Sequence, residues 1–136
     1  MLKAVFFDLD GTLLPMDEQE FAEGYFRFLC AKMMPSGYEP RKLIDTIWKG
    51  TAAMMANDGS KTNEQAFWDC FAGVYGKEAL KDAGAFEDFY AHDFAKAKAF
   101  CKENPLARGI VDFCHSHVEK TVLSTNPIFP STAQTV

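Results

Sequence analysis

The chain has 136 residues, 48% of them hydrophobic and 14% aromatic, enough apolar material for a packed core in a domain of ordinary size. A formal net charge of −5, with no run of Lys and Arg, argues against a nucleic-acid surface, which needs a basic stripe. No apolar stretch approaches the roughly 18 residues of a membrane span, and Asp8 interrupts the first apolar run too early for a signal peptide.

Cys30, Cys70, Cys101 and Cys114 are scattered with no CxxC pair, so reduced, mostly buried thiols in a cytoplasmic protein are expected. The pattern then divides in chain order. Leu2 to Phe7 read as a short strand, apolar on both faces like the central strand of a parallel sheet. Asp8 stands at its C-terminal end, the edge where open α/β sheets bind ligands. Gly11 and Thr12 break the strand and Pro15 marks a turn.

From Met16 to about Lys102 the spacing predicts helices. Phe21, Tyr25, Phe28 and Leu29 form a first stripe, with Asp17 and Glu18 at the N-terminus where the helix dipole favours acids. Pro35, Gly37 and Pro40 interrupt the chain, and Leu43, Ile44, Ile47, Trp48, Thr51, Met54 and Met55 form a second stripe, with the helical region expected to pack through Phe21, Phe28, Ile47, Trp48, Phe67, Phe71 and Phe89. Asn57 to Ser60 read as a turn, and Thr62 to Gln65 as a capping start. A third stripe runs through Ala66, Phe67, Cys70, Phe71 and Val74, and a fourth through Phe86, Phe89, Tyr90 and Phe94. After Asn104-Pro105 a helix is predicted to about His115, burying Ile110, Val111 and Cys114. Lys120 to Ser124 read as a second strand, leading into Thr125-Asn126-Pro127. Strand, helical excursion, helix and strand make a right-handed parallel crossover with a large insertion.

Two like charges, Asp8 and Asp10, directly after an apolar strand repel each other, and a bound cation is the simplest reason to keep them there. Asp8-x-Asp10-Gly11-Thr12 at a strand end, with a second apolar strand ending in Thr125-Asn126, resembles the haloacid dehalogenase-like (HAD) superfamily. The resemblance implies an α/β fold: a partial Rossmannoid core from residues 1–15 and 105–136, with two parallel strands identifiable, and an inserted helical cap over residues 16–104. It also implies phosphoryl chemistry. Asp8 would be the nucleophile that forms an aspartyl-phosphate, splitting one hard hydrolysis into two easier steps. Asp10 would protonate the leaving oxygen and then activate water. Dehalogenase relatives lack that second acid, so Asp10 favours a phosphatase. Mg²⁺ would be held by Asp8 and the Asp10 carbonyl, and the Thr125 hydroxyl with the Leu9 and Asn126 amides would hold phosphate. The expected partner is a small phosphorylated metabolite, with no nucleic acid and no membrane; nothing in the sequence sets an oligomeric state.

The family also carries a Lys on a later element and acidic residues after a still later strand. Residues 127–136 hold no Lys, Asp or Glu, and Lys120 precedes the second strand and lies at the opposite sheet edge. The chain therefore reads as the first portion of a phosphatase, truncated after the second motif. A non-catalytic chain whose helical cap acts as a binding module is the alternative, and a dehalogenase a weaker one. Cys114, His115 and His117 lack a second ligand pair and read as a polar helix end, while Arg27, Lys49 and Arg108 read as solvated charge.

Overall fold

Strand β1 (Ala4–Phe7) pairs in parallel with β2 (Lys120–Leu123), in a register that runs from Ala4 opposite Lys120 to Phe7 opposite Leu123. The computed structural model describes residues 2–125. The Lys120 amide donates to the Lys3 carbonyl at 3.1 Å, and the Ser124 amide to the Phe7 carbonyl at 2.7 Å. Both strands fall where the apolar runs predict them, a residue or two shorter. Among the described residues this is the one sheet, and the chain is mixed α/β but mostly helical.

Five α-helices fill most of the remainder: α1 (Glu18–Met33), α2 (Pro40–Met55), α3 (Asn63–Tyr75), α4 (Ala83–Asp88) and α5 (Ala107–His117). Their starts follow capping chemistry. Asp17 accepts from the Gln19 and Glu20 amides ahead of α1. Glu39 accepts from the Arg41 and Lys42 amides, which holds its carboxyl below the usual range. Thr62 and Gln65 form the reciprocal capping box that the sequence announces. Between α4 and Cys101 the helix is irregular: a π turn over Phe89–Asp93 leads directly into a 3₁₀ helix over Phe94–Phe100.

The chain forms two compact units. One holds described residues 2–25 and 96–125; the other is Phe26–Ala95. In the second, Leu29, Met33, Leu43, Phe71 and Phe89 are wholly buried, and the buried Thr46 hydroxyl donates to the Lys42 carbonyl at 2.7 Å. Gly50 of α2 lies against the Phe67 ring of α3: a Cβ there would sit 2.5 Å from Cδ2. Lys32 binds Asp88 and, at 3.3 Å, Asp93, while Tyr38 donates to Asp82 at 2.8 Å.

Two core expectations are corrected. Trp48 is 52% exposed, because Leu43, Thr46, Ile47 and Gly50 make the buried ridge of α2 and the next residue turns about 100° away from it. Its ring rests against Phe26 at 5.5 Å between centroids. On α5, Ile110 is 46% exposed and nothing is fully buried, although Val111 and Cys114 are half-buried. Ala107, Val111, Cys114 and Val118 form the sheltered face, leaving Leu106, Ile110 and Phe113 on a face with no covering layer among the described residues.

Candidate functional site

The end of β1 turns sharply. The Gly11 amide donates to the Leu14 carbonyl at 2.9 Å, and the Thr12 and Leu14 amides to the Leu9 carbonyl at 3.1 and 2.9 Å. Gly11 makes this possible with φ of +74°, a left-handed conformation that suits glycine. The loop stands Asp8, Asp10 and Thr12 beyond the C-terminal end of β1. The parallel register puts Thr125 beyond the same end of β2, while Lys120, opposite Ala4, lies at the other end. Asn126 lies outside the described residues.

The two carboxylates have different surroundings. Asp8 accepts from the Thr12 hydroxyl at 3.0 Å, which fixes one of its oxygens. Asp10 is held above its ordinary value by partial desolvation first, then by the negative charges of Asp8 and of Glu18 at the start of α1. Asp10 keeps much of its surface in water, so the desolvation is incomplete. One acid is thus oriented and the other has its pKa raised.

A second segment closes against this loop. The Lys102 amide donates to the Pro15 carbonyl at 2.8 Å, and Cys101 forms an antiparallel bridge with Met16. The Asn104 side-chain amide reaches the Thr12 carbonyl at 3.4 Å, while its oxygen accepts from the Leu106 amide at the start of α5. Burial, then the charge of Asp10, raises the Cys101 thiol above its usual range. Sequence reading passes over Glu18, Cys101 and Asn104 as neighbours of the acid pair. Only Asn104 carried a signal, since Asn-Pro before a helix marks a cap.

Among the described residues, no group of three or more His, Cys, Asp or Glu could hold a metal ion. His117 turns its Nδ1 to the Phe113 carbonyl at 2.7 Å and stacks on the Phe113 ring, so Cys114, His115 and His117 form no cluster. All four cysteines are free. No described helix is long and apolar enough to cross a membrane. No protein-family model, curated protein or solved structure matches the chain.

Proposed function

We propose that this chain carries the nucleophile and the acid of a HAD-like phosphatase site, acting on a small phosphorylated metabolite in a reducing, cytoplasmic setting. What supports the reading most is the pair at the end of β1: Asp8 oriented by Thr12, and Asp10, two residues on, with its pKa raised by desolvation and then by Asp8 and Glu18. An Asp8 oxygen attacks phosphorus, and the bond from phosphorus to the substrate oxygen breaks. Asp10 gives its proton to that departing oxygen. Water, losing a proton to the Asp10 carboxylate, then attacks the same phosphorus and breaks its bond to Asp8, which returns as carboxylate. The Thr125 hydroxyl donates to a phosphate oxygen, and by the family resemblance the Leu9 and Asn126 amides take part in holding it. The helical stretch 16–104 serves as the cap that selects the substrate.

The oxygen donors present, the Asp8 carboxylate and the Asp10 carbonyl, suit a hard cation such as Mg²⁺ that retains most of its waters. Desolvation raises Asp10 first and repulsion from Asp8 and Glu18 second, and a cation would relieve the repulsion. A cation held by the Asp8 carboxylate and the Asp10 carbonyl would supply neutralising charge for phosphoryl transfer. A second reading, a non-catalytic binding module, draws on the exposed Trp48 and Met55 of α2. Hydrolysis of p-nitrophenyl phosphate with Mg²⁺ separates the two. The phosphatase reading expects slow hydrolysis above the buffer rate that Asp8→Asn removes; equal rates in both proteins reject it. Release of halide from a haloacid would instead support a dehalogenase.

A further inference from the structure

The 3₁₀ helix over Phe94–Phe100 contradicts its own sequence. Such helices seldom exceed three or four residues, and this one has seven. Its interior, Ala95-Lys96-Ala97-Lys98-Ala99, consists of the two residue types among the best α-helix formers. Local preference and observed geometry disagree, and in natural proteins such conflict is uncommon enough to need a cause.

Packing supplies the cause. In a 3₁₀ helix, residues three apart eclipse, so Phe94, Ala97 and Phe100 line one ridge. Burial follows that period: Ala97 is buried and both phenylalanines are half-buried, whereas Lys96, Lys98 and Ala99 are exposed. Each end of the ridge is anchored. Phe94 packs on the rings of Phe89 and Tyr90, at 6.4 and 5.6 Å between centroids. Phe100 lies against Gly24 of α1, where an added Cβ would fall 2.0 Å from ring atom Cε2. In α geometry, with about 3.6 residues per turn, Phe100 swings off the ridge and Lys98 swings towards it. The aromatic seat on Gly24 and the charge of Lys98 thus oppose the α form that the alanines and lysines favour.

We propose that residues 94–100 form a conformational switch, held as a 3₁₀ helix by the Phe100–Gly24 seat and poised to become α-helical when that seat is lost. The change shortens the segment by about 3.5 Å, at 0.5 Å for each of seven residues. The residues that follow, Cys101, Lys102 and Asn104, are hydrogen-bonded or bridged to Met16, Pro15 and Thr12, so a change of helix type is felt there. It therefore acts on the loop that bears Asp10. By reciprocity, whatever binds that loop biases the helix by the same free energy. The proposal is independent of the phosphatase reading, because its measurement is of hydrogen bonds and not of turnover.

Gly24→Ala tests it on the full chain without touching the switch. In this structure the Cys101 amide donates to the Lys98 carbonyl, the 3₁₀ pattern. NMR couplings across hydrogen bonds identify the carbonyl that each amide bonds. With Gly24→Ala the Cys101 amide is expected to move to the Ala97 carbonyl, and exchange of the Gly11 and Leu14 amides to change at least several-fold. Lys98→Ala, at an exposed position that folding tolerates, should populate the same α form and guards against misfolding of the first variant. The Cys101 amide remaining on the carbonyl of position 98 in both proteins would overturn the switch; its moving while Gly11 and Leu14 exchange stays unchanged would overturn the coupling to the loop.

Discussion

Asp10 departs from the usual behaviour of a folded carboxylate, and the departure can be measured. Its pKa is raised in the folded state by desolvation, then by Asp8 and Glu18. Between its ordinary value and the raised one, the folded chain binds more protons than the unfolded chain. Stability contributed at Asp10 is therefore present at low pH and lost as pH rises through that window. Asp10→Asn should raise the unfolding free energy at pH 7 by under about 1 kcal/mol, discounted for solvent screening. In urea titrations that gain should vanish as pH falls below the carboxylate range; a gain constant from pH 3 to pH 7 would show that charge is not its origin. Gly50 gives a packing test. Alanine in a helix interior ordinarily gains up to about 1 kcal/mol over glycine. Here the new Cβ would meet the Phe67 ring at 2.5 Å, so Gly50→Ala should instead destabilise by about 1–3 kcal/mol in thermal melts.

At the scale of elements, caps were the most legible feature. Thr62 and Gln65 form their predicted box because that chemistry is local, needing only residues three apart. Thr62→Ala should cost about 1 kcal/mol of stability by urea unfolding, with Thr62→Ser restoring most of it. Both strands were legible because short apolar runs, one bounded by Asp8 and the other flanked by polar residues, leave few alternatives. Stripes were legible as stripes only. Periodicity locates the apolar face of α2 but not the ridge that finds a neighbour, so Trp48 was placed in a core that takes Thr46 and Gly50 instead. The π and 3₁₀ turns after α4 were not legible at all; the 3₁₀ segment packs Phe100 against Gly24, a residue far away in sequence.

For the whole molecule, the position of the acid pair could be read in advance, but its surroundings could not. Glu18 and Cys101 reach Asp10 through the path of the chain and not through any spacing near it. The 136 residues contain no Lys, Asp or Glu after Lys120, so the later lysine that the resemblance implies has no counterpart in residues 121–136. Losing one preorganised electrostatic contact typically costs on the order of 10²–10³ in rate. The chain alone, assayed with Mg²⁺ over a panel of sugar phosphates, should accordingly show only trace hydrolysis; ordinary enzyme rates abolished by Asp8→Asn would mean that another group supplies the missing charge. The pairing of Met16 with Cys101, and of Pro15 with Lys102, has a consequence for how this architecture can vary. It ties the two ends of the long helical excursion side by side, so the excursion is a closed loop whose length hardly affects the entropy of closing it. A graft of different size between those two anchors would ask almost nothing new of the strands, which makes the helical region an exchangeable module.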